Sequence, residues 1–102
     1  MLTIGEVVIE VLSVEYMDTG CCFKVMLSNF TREIVTEWHC ATDKIDLKEE
    51  FNCWLQIAKS EKPPEYPVSK AINDKLKEHW QSCRNKALEL FGDEETLQSY
   101  AE

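Results

Sequence analysis

The chain reads as an α+β domain: a three-stranded antiparallel β-meander covered on one face by two α-helices, with a short helix at the C-terminus. Three observations predict this. Residues 1–43 are rich in Val, Ile and Thr and alternate apolar with polar side chains between tight-turn residues. From Ser69 to Phe91, apolar residues recur at Ile72, Leu76, Trp80, Cys83, Ala87 and Leu90, at helical spacings of three and four. Between these regions, Asp46-Leu47-Lys48-Glu49 forms a capping box ahead of a second amphipathic stretch.

The first predicted strand spans Ile4 to Tyr16. Its alternation changes phase: Val7, Ile9 and Val11 share one face opposite Glu6 and Glu10, and then Leu12, Val14 and Tyr16 take over. A strand has a period of two, so a slip at Val11-Leu12 predicts a bulge or sharp twist there. Met17-Asp18-Thr19-Gly20 supplies turn residues. Cys21 to Leu27 is the second strand, with Phe23, Val25 and Leu27 opposed to Cys22, Lys24, Met26 and Ser28. A turn over Asn29 to Arg32 leads into the third, Glu33 to Thr42, where Ile34, Thr36, Trp38 and Cys40 alternate with Glu33, Val35, Glu37 and His39. Turns this short make consecutive strands antiparallel neighbours.

The helix capped by Asp46 is expected over residues 46–62, with Leu47, Phe51, Trp54, Leu55 and Ala58 on its buried face. Pro63, Pro64 and Pro67 make residues 63–67 a stiff extended connector. The long helix of residues 69–91 would run roughly 35 Å at about 1.5 Å per residue. Gly92 ends it. Asp93 then caps a short helix or tail over residues 93–101, with Leu97 and Tyr100 as its apolar stripe. The expected core pairs Phe23, Val25, Ile34 and Trp38 of the sheet with Phe51, Trp54, Leu76 and Trp80 of the helices.

A length of 102 residues supports one domain with a modest core. With 44% hydrophobic residues and only three Gly and three Pro, the chain is neither disordered nor collagen-like. Apolar runs are too short to span a membrane, and the N-terminus lacks a secretory pattern, so a cytoplasmic location is expected. Five cysteines, an odd number with Cys21 and Cys22 adjacent, fit free buried or half-buried thiols better than a disulfide framework.

Net charge is −8 and unevenly spread. Residues 1–43 carry seven acids and two bases, residues 44–92 carry eight acids and nine bases, and the last ten carry four acids and no base. This argues against direct binding to nucleic acid or an anionic membrane and suits a basic protein partner.

Neither an enzyme nor a cofactor-binding protein is indicated. His39 and Cys40 are adjacent on a strand and point to opposite faces, a poor nucleophile–base pair. His79 and Cys83 are four apart on a helix and share a face, which makes them the sequence's one thiol or metal alternative. No CxxC or HxxxH spacing occurs, a site drawing on Cys40, Cys53, His79 and Cys83 would need the fold to converge them, and the three glycines are isolated. Glu49-Glu50 and Glu94-Glu95 lie at helix starts, where the dipole accounts for them. The basic side of the long helix is diluted by Asp74, Glu78 and Glu89.

The most suggestive surface is the sheet face turned away from the helices. It would carry Glu6, Val8, Glu10, Lys24, Met26, Glu33, Val35 and Glu37, half apolar and half anionic. Asp93, Glu94 and Glu95 form a second acidic patch. In size, charge and layer order the chain resembles the small acidic inhibitors made by phages and toxin-carrying bacteria, anti-CRISPR proteins and nuclease-immunity proteins among them. That resemblance implies occlusion of a basic, nucleic-acid-binding site on a nuclease or nucleic-acid-handling complex, with carboxylates standing where phosphates would lie. The other readings are a homo-oligomeric domain, a homodimer included, or an adaptor domain, using the sheet edge or the tail around Leu97 and Tyr100, and a thiol or metal protein using His79 and Cys83.

Overall fold

The computed structural model describes residues 1–42 and 44–100. The fold is α+β, with a four-stranded antiparallel sheet in the order β1-β2-β3-β4 and three helices. The strands are β1 (Leu2–Ile4), β2 (Val7–Met17), β3 (Gly20–Asn29) and β4 (Arg32–Cys40), and the helices are α1 (Leu47–Lys59), α2 (Lys70–Phe91) and α3 (Glu94–Ser99).

The expected three strands are four. Ile4 belongs to a separate strand that pairs with β2 through Leu2↔Ile9, Thr3↔Val8 and Ile4↔Val7. The two-residue loop Gly5-Glu6 makes the reversal, and Gly5 sits at φ 60, in the left-handed region that favours glycine. Glu6 therefore lies in a turn rather than on the sheet face.

The phase slip at Val11-Leu12 is a register shift. Val11 pairs with Val25, whereas Ser13 pairs with Lys24, leaving Leu12 as the extra residue. The β2–β3 and β3–β4 hairpins turn through two residues each, Asp18-Thr19 and Phe30-Thr31. Gly20 follows the first loop at φ 135, and a Cβ there would lie 1.9 Å from the Cys40 carbonyl oxygen, so the β3–β4 approach requires glycine.

Val7, Ile9, Phe23, Val25, Leu27, Ile34 and Trp38 face the helices and are buried, as the alternation requires. Phe51, Trp54, Leu55 and Ala58 of α1 and Cys83, Ala87, Leu90 and Phe91 of α2 close the core from the other side. Trp38 sits at the layer boundary, edge-on to Phe23 with ring centroids 5.9 Å apart and 6.3 Å from Trp54. Its indole N–H is buried without an acceptor among the described residues.

The helix caps fall where the side chains place them. Asp46 accepts from the Glu49 amide at 3.2 Å, Ser69 from the Ile72 amide at 3.3 Å and Asp93 from the Thr96 amide at 2.7 Å, and Gly92 terminates α2. Helix α1 stops at Lys59, three residues short of the expected end. Only the second half of α2 enters the core. Ile72 is exposed, and Leu76 and Trp80 are half-buried. Its first turn is tied instead to the proline connector, where Asn73 and Tyr66 exchange hydrogen bonds of 3.0 and 3.2 Å, and at mid-helix the Trp80 indole donates to the carbonyl of Ser60, the C-cap of α1, at 3.0 Å.

The C-terminal helix is docked. Leu97 is fully buried, and the Tyr100 ring lies 4.9 Å from Phe91 and 6.1 Å from Phe51. The Tyr100 hydroxyl donates to the Ile4 carbonyl, joining the two ends of the chain. Positions 43 and 101, part of the expected sheet region and terminal helix, lie outside the described residues.

Candidate functional site: the outer sheet face and the free end of β2

The strand registers fix what the outer face presents. Val8, Ser28 and Glu33 form one row across β2, β3 and β4; Glu10, Met26 and Val35 the next; then Ser13, Lys24 and Glu37; and last Glu15, Cys22 and His39. The expected set Val8, Glu10, Met26, Glu33, Val35 and Glu37 thus shares one surface with Lys24. Val8 and Met26 are half-buried and the other four are exposed. Among the described residues, none of Glu10, Glu15, Glu33 and Glu37 lies within ion-pair distance of a base.

The second acidic patch is engaged within the fold. Asp93 is the α3 cap, and the Thr96 backbone N–H holds its carboxyl below the usual range. Glu94 accepts from Gln98 Nε2 at 2.8 Å and pairs with Arg84, and both contacts lower its pKa. Glu95 is exposed in the first turn of α3.

Composition and alternation alone do not reveal the far end of β2. Strand β1 pairs only with Val7–Ile9, so beyond Ile9 one edge of β2 has no strand partner among the described residues. The helices do not reach over this end. Val11, Leu12, Val14, Tyr16 and Met17 are all exposed, Leu12 at 48% and Tyr16 at 67%. Val14 and Tyr16 pair with Phe23 and Cys21, so they project on the core side of the sheet but past the core. An apolar strand with a free backbone edge is a template for an added strand, and the bulge at Leu12 with Glu10 and Glu15 guards it.

The thiol and histidine pairs separate into different environments. Cys83 Sγ lies 3.8 Å from His79 Nε2, but the thiol is buried and burial pushes its pKa up to about 11, which keeps it protonated. Cys21 and Cys40 are also buried; Cys22 is half-buried and Cys53 exposed, so Cys53 departs from the expected burial. A shallow cleft of about 260 Å³ between β4 and the helices is lined by Trp38, His39, Cys53, Trp54 and His79 among others. It is smaller than the few hundred Å³ that small-molecule sites usually occupy.

Comparison with protein-family models, with curated proteins and with solved structures finds no match.

Proposed function

We propose that this chain is a protein-binding module that covers a basic site on a partner protein, with the free end of β2 and the acidic outer face of the sheet forming the contact. The observation that carries this reading is the Glu10–Met17 half of β2. Among the described residues it combines a backbone edge without a strand partner, five exposed apolar side chains and two carboxylates outside ion-pair distance of any base. Such a surface fits an extended segment with apolar residues in alternation and Lys or Arg between them. The backbone edge would supply affinity, and the carboxylates would supply steering and selectivity.

A partner with a nucleic-acid-binding cleft has that chemistry, and covering it would inhibit it. Pairing of two copies through the same edge is opposed by Glu10 and Glu15, which would bring like charge to both strands. The test is retention of host proteins on the immobilised chain at low and high salt, with Glu10→Lys/Glu37→Lys alongside. The expected result is a nucleic-acid-handling protein held at low salt, released at high salt and lost from the variant. Retention that the double reversal leaves intact would remove the acidic face from the contact. Sedimentation as a stable dimer would move the reading to self-association.

A further inference from the structure

We propose that Cys22, His39 and Glu37 form a binding site for a divalent transition ion of the zinc class on the outer face of the sheet. The inference is independent of the partner reading above.

The geometry comes from the β3–β4 register. Cys22 pairs directly with His39, and Glu37 lies two residues before His39, so all three side chains leave the same face. Cys22 Sγ and His39 Nε2 are 3.9 Å apart. One ligand atom from each of the three residues lies within 4.8 Å of the others. A tetrahedral zinc ion with a Zn–S bond of about 2.3 Å and a Zn–N bond of about 2.05 Å separates sulfur from nitrogen by about 3.6 Å. The thiol and imidazole are thus already within a few tenths of an ångström of ligating distance. The Glu37 side chain has the rotatable bonds to complete the approach, and the ladder beneath holds all three residues in place.

The donor set selects the ion. A thiolate and an imidazole favour zinc-like ions and exclude calcium and magnesium, which take oxygen ligands. The local charge agrees: the Glu37 and Glu15 carboxylates flank Cys22 on this face, and a dication there would offset their negative charge. Glu15 pairs with Cys22 from the β2 side, so it stands on the opposite flank from His39. Three protein ligands on an open face leave a fourth position for Glu15, water or a donor from another molecule.

The test is titration of the full-length, reduced, metal-free chain with Co²⁺, whose thiolate charge-transfer and tetrahedral d–d absorption report sulfur ligation, followed by displacement with Zn²⁺. One equivalent of Co²⁺ should bind with both bands present. Cys22→Ser should abolish the charge-transfer band, His39→Ala and Glu37→Gln should each weaken binding roughly tenfold or more, and Cys53→Ser and His79→Ala should leave it unchanged. Zn²⁺ should also protect Cys22, and not Cys53, from alkylation, as located by peptide mass analysis. That readout needs no variant to fold. Absence of the bands in the wild-type chain, their persistence in Cys22→Ser, or equal alkylation of Cys22 with and without Zn²⁺ would each overturn the assignment.

Discussion

Replacing Arg84 with Ala should cost about 3 kcal/mol of stability, although the residue lies outside the hydrophobic core. Arg84 projects from α2 into the junction of all three helices and its side chain is only 16% exposed. One guanidinium nitrogen donates to the Ala58 carbonyl at 2.8 Å and to the Ser60 carbonyl at 3.2 Å, satisfying the C-terminal end of α1. The other nitrogen meets Glu94 in α3, and the guanidinium carbon lies 5.6 Å from the centre of the Trp80 ring. Hydrogen bonds from a charged donor contribute about 1.5–3 kcal/mol each. The Ser60 bond is solvent-facing and falls below that range. A cation–π contact at an exposed site adds about 0.5–1 kcal/mol. The pair with the half-exposed Glu94 adds less than about 1 kcal/mol. Discounting for solvent sharing leaves roughly 2–4 kcal/mol. With a urea m-value of about 1.5 kcal/mol/M, the midpoint should fall by roughly 2 M. Glu94→Gln should cost under about 1 kcal/mol, and Arg84→Lys should recover only part of the loss, because an ammonium cannot span both carbonyls and the carboxylate. Urea unfolding followed by Trp fluorescence measures all three. An Arg84→Ala midpoint within experimental error of the wild type, or full rescue by Lys, would refute the idea that this side chain ties the helices together.

Other outcomes follow from burial and titration. Trp38→Phe should be nearly neutral in thermal unfolding, because it removes a buried N–H that has no acceptor among the described residues, whereas Trp38→Ala should cost about 3–5 kcal/mol by leaving a cavity among Phe23, Phe51 and Trp54. Under native conditions a thiol reagent should label Cys53 rapidly and Cys22 more slowly, with Cys21, Cys40 and Cys83 reacting only on unfolding; rapid labelling of Cys83 would contradict the packing of α2. Burial raises the Cys83 thiol from 9.0 to about 11, so in that window the unfolded chain loses a proton that the folded chain keeps. Stability is therefore intact below pH 9 and should decline by roughly 2–3 kcal/mol on Cys83's account as pH rises to about 11, a loss that Cys83→Ala removes.

The sequence makes the layer order legible because each element carries a local signal. Asp46, Ser69 and Asp93 mark helix starts, Gly92 ends the long helix, and the phase slip at Val11-Leu12 locates the bulge. It hides β1 because Leu2–Ile4 is too short to show a period, and Gly5-Glu6 reads as part of a continuous strand until pairing is known. It overstates the burial of Ile72, Leu76 and Trp80 because helical spacing shows which face is apolar and not how far the sheet beneath extends.

The cluster of Cys22, Glu37 and His39 was within reach of the sequence. A two-residue turn at Phe30-Thr31 places every β3–β4 pair symmetrically about it, and Cys22 then falls opposite His39. Testing His39 only against its chain neighbour Cys40 misses this, since cross-strand partners lie on one face and chain neighbours do not. The exposure of Leu12 and Tyr16 is less accessible, because it depends on how far the helices extend over the hairpin.

The most direct test of the proposed contact is to replace Leu12 and Tyr16 together with Thr, then measure the melting midpoint and the retention of host proteins on the immobilised chain. Both side chains lie outside the core, so the expected result is an essentially unchanged midpoint with retention abolished. Retention equal to that of the wild type would contradict a role for the β2 end in binding. A fall in stability of several kcal/mol would show instead that these side chains belong to the fold.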